Sequence, residues 1–314
     1  MTDIYNRYST YLKSHYGCKV YKLPVSIPVS CPNRGNGLKG CTYCDEKGAG
    51  FDNLSGVFSV REQIKVNMEY IGKKYKAEKF IAYFQNFTNT FLPVDQFRKY
   101  MLEACQESIV EVSVSTRPDC IRKEYIDVME EISSIFGVEI TVELGLQSVN
   151  PHTLNKINRG HTLAEFIEAA GIIKNAGFNL CAHMILNLPW DNITDAVEAA
   201  KILSVLNVDF VKLHSLYIPE GTEMAEEYKN GLFEVCSLEE YSQRVTEFLR
   251  HLTPKAYVER IVSRAPEEGV VFANWNRSSW YIRDYIENKM RENRFYQGQL
   301  FNYLGGASVR RFFD

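Results

Sequence analysis

Residues 30–50 read SCPNRGNGLKGCTYCDEKGAG and set Cys31, Cys41 and Cys44 among glycines and a proline that forbid a helix. A Cys-x-x-Cys pair alone fits zinc, a redox dithiol or an iron–sulfur cluster; the third thiol separates them. A tetrahedral zinc site would need a fourth ligand. Cys18 is available, but it precedes the first strand-like run while the trio follows it. A strand of about ten residues spans about 30 Å, which puts Cys18 at the wrong end. A redox dithiol needs one pair at a helix N-terminus and leaves Cys31 without a role. A [4Fe–4S] cluster on three cysteines uses every thiol and leaves one iron open to a ligand.

Outward from this loop the chain alternates short apolar runs with amphipathic ones. Strand-like runs fall at 20–29, 79–85, 109–116, 138–146, 178–188 and 209–218, rich in Val, Ile, Phe and Tyr. Helical periods fall at 59–76, 93–108, 122–137, 162–177 and 192–207. Pro93 suits a first helical turn, Gly177 a C-terminal cap, and Asn192 or Thr194 an N-cap. Such alternation predicts an α/β fold of right-handed βαβ units with a parallel sheet. Beyond residue 220 the pattern is less regular, with helices expected at 237–252 and 280–293 and a short strand at 256–263. The division expected is an N-terminal extension (1–19), a barrel-like domain (20–235) and an α-rich C-terminal extension (236–314).

Ligands of such sheets bind at the carboxyl ends of the strands. There the sequence places Cys31, Gln85 and Asn86, STRPD (115–119), GLQS (145–148), NLPWD (187–191) and His214.

The 314 residues carry 45% apolar and 24% charged side chains, the balance of a soluble globular protein. No run approaches the roughly 20 apolar residues of a membrane span, and residues 1–17 lack the apolar core of a signal peptide. A cytoplasmic protein without membrane association is expected, its eight cysteines reduced or metal-bound. The net charge of −3 argues against non-specific nucleic-acid binding, but the ends differ from the middle. Residues 1–50 hold seven Lys/Arg against three acids, and residues 277–314 seven against four. If the ends meet, they form a basic face on an acidic body, suited to a polyanion; two solvated termini are the alternative.

Taken in order, Cys31-x9-Cys41-x2-Cys44 with Tyr43, YFQNFTNT (83–90), STRPD (115–119), VELGLQSV (142–149), NRGHT (158–162) and CAHMILNLPWD (181–191) form a specific series. The series resembles the radical S-adenosylmethionine (SAM) superfamily, and within it the Elongator-catalytic-subunit-like branch, over about residues 15–265. Short bacterial members without the acetyltransferase-like domain are most similar.

The resemblance implies a partial (β/α)6 TIM-like barrel with a C-terminal extension, a [4Fe–4S] cluster and SAM. It assigns Cys31, Cys41 and Cys44 to the cluster and Tyr43 to the adenine. QNFTN stands where the family has Gly-Gly-Glu, so Gln85, Asn86 and Thr88 are candidates for the methionine ammonium. Glu143, Gln147 and Ser148 are candidates for the ribose, and Arg159 for the SAM carboxylate. An ordinary ion pair for Glu143 and a surface salt bridge for Arg159 are the plainer readings. His183, Lys212 and His214 are candidate substrate contacts, with a satisfied core histidine the alternative for His183. Cys18, Cys105, Cys120, Cys181 and Cys236 lack metal spacing and read as small buried hydrophobes.

The branch implies tRNA as substrate, at C5 of the wobble uridine, and an electron donor such as flavodoxin or ferredoxin. Without an acetyltransferase domain, the expected reaction edits an existing group, carboxymethylaminomethyl-uridine to aminomethyl-uridine, by hydrogen abstraction, oxidation to an imine and hydrolysis. Aromatic and basic residues in 291–313 would hold RNA, or else form a tail docked on the barrel. The rival functions are radical oxidation of a small metabolite or peptide, and a non-catalytic metal-cluster scaffold.

Overall fold

Buried parallel strands read as near-continuous apolar runs, because helices cover one face and the barrel interior the other. In this computed structural model, which describes residues 3–35, 37–44 and 58–312, the runs become seven parallel strands. They are β1 (Val20–Val25), β2 (Lys79–Phe84), β3 (Ile109–Thr116), β4 (Glu139–Gln147), β5 (Asn179–Ile185), β6 (Phe210–His214) and β7 (Tyr257–Arg260). Each pairs with its neighbour in sequence, and β1 and β7 form the two edges. The sheet is an α/β half-barrel, the fold class expected, with one strand more than the six of the apolar count. β7 comes from the 256–263 run, so the sheet continues past residue 235. Asp45, Glu46, Lys47, Phe313 and Asp314, counted above among the charges or the tail, lie outside the described residues.

Seven helices fall where the periodicity predicts, α2 (Val60–Tyr75), α3 (Val94–Ala104), α4 (Lys123–Phe136), α6 (Leu163–Asn175), α7 (Ile193–Val205), α9 (Leu238–His251) and α10 (Ser279–Glu292). Among the described residues three more lie outside those periods, α1 (Tyr8–Tyr16), α5 (Pro151–Lys156) and α8 (Glu223–Lys229). Reciprocal capping boxes start α2 (Ser59 with Glu62), α6 (Thr162 with Glu165), α7 (Asn192 with Asp195) and α9 (Ser237 with Glu240), each satisfying two orphan backbone donors. Pro93 is the N-cap of α3, one residue outside the turn expected.

Strand alternation sorts the two faces. Leu23, Ala82, Val112, Val142, Leu180, Val211 and Val258 point outward and share one core with the covering helices. The inward positions include Lys22, Tyr83, Ser113, Glu143, His183 and Lys212. The floor is apolar: Val20, Ile81, Cys181 and Phe210 pack against Tyr8 and Leu12 of α1. Cys18 packs there too, at the end of the sheet away from the trio.

The 209–218 run breaks after His214. The Leu216 amide donates to Asn187 Oδ1 at 2.6 Å, which takes it out of the ladder. Tyr217–Pro219 then pairs antiparallel with Val270–Ala273. The chain's two ends meet beside β7. Val258 N donates to Asn6 O at 2.8 Å. Gln297 Nε2 donates to Thr253 and Ala256 carbonyls at 2.7 and 2.9 Å, while its Oε1 accepts from Asn6 N at 2.9 Å. Among the described residues no helix is long and apolar enough to cross a membrane.

Leu180 is fully buried on β5 and Val66 is exposed on α2. Leu180→Ala is expected to lower unfolding stability by about 2–5 kcal/mol and Val66→Ala to change it by less than about 0.5 kcal/mol. Urea denaturation measures both, and equal losses would contradict this packing.

Candidate functional site

A cavity of about 670 Å³ opens at the carboxyl ends of the strands. Cys31, Cys41 and Cys44 line one part of it, on the loop after β1. That loop is fastened to the segment after α5. Thr42 N donates to Ile157 O at 3.0 Å, Asn158 Nδ2 to Gly40 O at 2.7 Å, and Asn33 Nδ2 to Asn158 O at 2.6 Å. Gly160 has φ +73°, and a Cβ there would meet Asn33 Oδ1 at 2.7 Å, so only glycine allows this approach.

Two guanidiniums are held against the thiols. Arg117 forks onto Asp119 (2.9 and 2.8 Å), and its Nη1 donates to Arg159 O at 2.7 Å and points to Cys31 Sγ at 4.0 Å. Arg159 donates through Nη2 to Gly145 O at 2.7 Å and through Nη1 to Cys41 Sγ at 3.7 Å. Its buried Nε has no partner. Burial works against the Arg117 charge, but the hydrogen bonds and charge of Asp119 outweigh it and hold the group protonated. Cations beside sulfur favour thiolates, the form that binds metal. His161 donates toward Gly145 O at 3.0 Å; burial and the two arginines push it down to about 4, so it stays neutral.

The inner wall holds a dense ion network. The buried Glu143 carboxylate accepts from Lys22 Nζ (2.6 Å), Ser113 Oγ (2.7 Å), His183 Nε2 (2.6 Å) and Lys212 Nζ (2.5 Å). Glu259 faces the same lysines at 2.6 and 3.1 Å. Burial opposes ionisation of Glu143, yet Lys212 and Lys22 keep it well below the carboxylate range. Tyr83 lies under both ammonium groups, with ring centroids 4.9 and 4.6 Å from Lys22 and Lys212. Burial and Lys212 push His183 down to about 4, leaving a neutral imidazole that donates to Glu143. Burial and Arg260 hold His214 well below the usual imidazole range, and it accepts from Arg260 Nη2 at 2.9 Å through Nδ1. Glu143, Cys181 and His183 come within metal-binding reach of one another. Two lysine ammonium groups already occupy the cationic role at that carboxylate.

Of the residues singled out from sequence, Tyr43, Gln85, Thr88, Glu143, Gln147, Arg159, His183, Lys212 and His214 line this cavity with the three cysteines. Gln147 sits at φ +73° beside a register shift between β4 and β5, a strained position of the kind found at binding sites. Asn86 and Ser148 do not line it. Asn86 Nδ2 donates to Ser26 Oγ at 2.7 Å, and Ser148 Oγ accepts from Asn150 N at 3.0 Å. Sequence reasoning missed Lys22, Tyr83, Glu259 and Arg260 and passed over Arg117 inside STRPD. The signal was there: Lys22 and Glu259 are charges inside apolar strand runs.

A parallel half-barrel with three cysteines and two arginines at its mouth is the architecture of enzymes that bind an iron–sulfur cluster with SAM. The Radical SAM superfamily model matches residues 25–203, and the Radical_SAM C-terminal domain model matches residues 208–292. Uncharacterized protein YtqA of Bacillus subtilis is 32% identical over 311 residues, covering 97% of this chain and 95% of that protein. The tRNA uridine(34) acetyltransferase of Methanocaldococcus infernus is 28% identical over 157 residues, covering 49% of this chain and 28% of that protein. The solved archaeal Elp3 of Methanocaldococcus infernus, lacking its N-terminus, has the same fold, with TM-score 0.69 at 19% identity over 91% of this chain and 68% of that one. The chain belongs to the radical SAM superfamily. It is a radical SAM enzyme, of the family whose members use a [4Fe–4S] cluster and SAM.

Glu143→Gln would leave two buried ammonium groups facing one carboxylate, and is expected to cost about 3–5 kcal/mol of stability by chemical denaturation. NMR titration is expected to show His161 and His183 neutral at pH 6 with midpoints near 4. Both folded values lie below the unfolded one of about 6.5, so the unfolded chain binds more protons between about pH 6.5 and 4, and their share of stability is present above about pH 6.5 and lost as the pH drops through that window. Glu111, pushed up to about 7 by burial, acts with the opposite sign, favouring the fold as its carboxyl protonates. A His183 midpoint at the free-imidazole value would contradict the network.

Proposed function

We propose that the enzyme acts on tRNA at the C5 side chain of the wobble uridine, converting carboxymethylaminomethyl-uridine to aminomethyl-uridine. The observation that carries the chemistry is the cysteine trio facing, with Arg117 and Arg159, the same cavity as the buried lysines and neutral histidines. The similarity to a tRNA uridine(34) acetyltransferase supports the substrate class.

In this reading Cys31, Cys41 and Cys44 hold the cluster. The donor set fits: three cysteines at one cavity mouth, with Arg117 and Arg159 offsetting the negative charge that thiolates and sulfides bring. Tyr43, Gln85, Thr88, Gln147 and Arg159 surround SAM, and the spare buried Nε of Arg159 gives it a donor for a carboxylate. Asn86 and Ser148 shape the loops that present these groups. Glu143 acts indirectly, by holding Lys22, Lys212 and His183 in place. Bound together, cluster and cosubstrate supply a 5′-deoxyadenosyl radical able to take hydrogen from an unactivated carbon.

The overall change is a two-electron oxidation of the glycyl methylene. SAM would serve as the oxidant and leave as methionine and 5′-deoxyadenosine, with the substrate radical's remaining electron returned to the cluster and its N–H proton lost to solvent, so that the initiating electron is recovered. Water then adds to the imine, releasing glyoxylate and leaving the aminomethyl group. The chain's part is to bind, orient and exclude bulk water, which the enclosed inner wall suits. A flavodoxin or ferredoxin would supply the initiating electron.

RNA would be held partly by α10, where Trp280 and Tyr281 are exposed and stacked by Arg283 (4.5 Å) and Arg277 (5.3 Å). The tail beyond it is partly docked: Phe295 lies 4.1 Å under Arg250, and Tyr303 donates to His251 O at 2.6 Å. That leaves residues 279–292 as the better stacking surface. The basic side chains there are also partly spent, Arg7 and Arg291 on Glu287 and Lys289 on Glu239.

Anaerobic reaction of the reconstituted protein with SAM, reductant and bulk tRNA, followed by nucleoside mass spectrometry, tests the proposal. Loss of carboxymethylaminomethyl-uridine matched by gain of aminomethyl-uridine and of 5′-deoxyadenosine is expected. Deoxyadenosine formed with no change in any C5-modified uridine would overturn the substrate. Single Cys31→Ala, Cys41→Ala and Cys44→Ala variants are each expected to lose the brown colour and most iron while staying folded by circular dichroism; full iron retention in any one would remove that residue from the ligand set.

A further inference from the structure

β7 is irregular at the one place where it meets the cavity. Val258 pairs with Val211 and Arg260 with Lys212, so a register shift falls at Glu259. In a regular strand adjacent side chains point to opposite faces; a bulge re-aims one of them. Glu259 and Arg260, neighbours in sequence, accordingly both line the cavity.

Their charges have different fates. Glu259 is engaged by Lys22 and Lys212, which also serve Glu143. Two ammonium groups therefore meet two carboxylates, and this set is balanced. Arg260 is left over. Among the described residues it forms no salt bridge; its contact is Nη2 against the neutral His214 ring, at 2.9 Å to Nδ1 and 3.1 Å to Nε2. Its Nε is buried and unpartnered. His214 in turn lies against His183, ring centroids 5.2 Å apart, so the guanidinium rests on a packed pair of uncharged rings. A buried donor without a partner costs free energy that a ligand can recover. Among the described residues Arg260 thus has no carboxylate partner at the cavity wall formed by β6 and β7, separate from Arg117 and Arg159 beside the thiols.

We infer that Arg260, positioned by the β7 bulge and by His214, is the subsite for a carboxylate on the substrate. The planar guanidinium matches a carboxylate in shape, and one surplus charge matches a monoanion. A phosphate monoester brings about −1.5 to −2 and would overcharge the wall. Resting on the function proposed above, this assigns Arg260 to the carboxylate of the carboxymethylaminomethyl group. It explains why an acid-bearing side chain would be selected over a neutral one of the same size.

The test uses the cluster-loaded enzyme and two RNA stem-loops, one with carboxymethylaminomethyl-uridine and one with the matching carboxamide. The wild type is expected to favour the acid about thirtyfold or more in kcat/KM, chiefly through KM. Arg260→Gln is expected to bring the two within about threefold, and Arg260→Lys to restore part of the preference by returning charge without the fork. A second arm needs no RNA turnover: saturation-transfer NMR with millimolar N-methylglycine, N-methylglycinamide and inorganic phosphate. N-methylglycine should bind the wild type and not Arg260→Gln, with the other two binding neither. If that pattern holds while neither RNA reacts, the tRNA reading fails and the carboxylate subsite stands. Equal binding of acid and amide by the wild type, unchanged binding in Arg260→Gln, or phosphate binding as well as the acid would overturn the subsite.

Discussion

The half-barrel depends on an ion pair that crosses its open side. β1 and β7 are the sheet's two edges and share no ladder hydrogen bonds, yet Lys22 on β1 reaches Glu259 on β7 at 2.6 Å and Glu143 on β4 at the same distance. Four charges, Glu143 and Lys212 buried and Lys22 and Glu259 partly so, thus converge on the axis from β1, β4, β6 and β7. Taking charges out of water costs several kcal/mol each, recovered only when geometry and extra hydrogen bonds are good. Ser113, His183 and Tyr83 supply those extra contacts. An apolar filling would have been simpler to stabilise, and it would have left no polar wall for a reactive cavity.

The cavity is divided electrostatically. On the side of the cysteine loop, two guanidiniums face sulfur; on the inner wall, two lysines and two carboxylates cancel, Arg260 stands outside that set, and two histidines are held neutral by burial. His183 and His214 thus serve as hydrogen-bonding surfaces with no charge of their own. That division suits radical chemistry, for which general acid–base groups matter less than tight positioning in a dry site. The wall remains polar enough to orient a substrate and offers few protons to misplace.

Much of this was legible in the chain itself. The cysteine loop, the strand runs and the motif order led directly to the half-barrel and its mouth, because periodicity and turn residues are local signals. Asn150-Pro151, an N-cap followed by a first-turn proline, marks α5 just as clearly, though a six-residue helix is too short for periodicity to reveal. The ion network was not legible. Lys22 and Glu259 are 237 positions apart in sequence, and only the closing of the sheet brings them together. Nor does sequence announce a register shift: without the bulge at Glu259, Arg260 would be expected on the outer face. Asn86 and Ser148 illustrate the converse, polar residues at strand ends whose hydrogen bonds are spent on the loops themselves.

The meeting of the two chain ends at β7 has a consequence for synthesis. Asn6 is synthesised 291 residues before Gln297, which locks it and the 253–256 turn together. Until then the β7 edge is held by the Asn6–Val258 bond without that lock, and a loosely held edge is the kind of surface that pairs with other chains. The seam is therefore fastened only after every strand, every cysteine and every cavity side chain has been made, and loss of Gln297 would leave the Asn6–Val258 bond without the lock that ties Asn6 to the 253–256 turn.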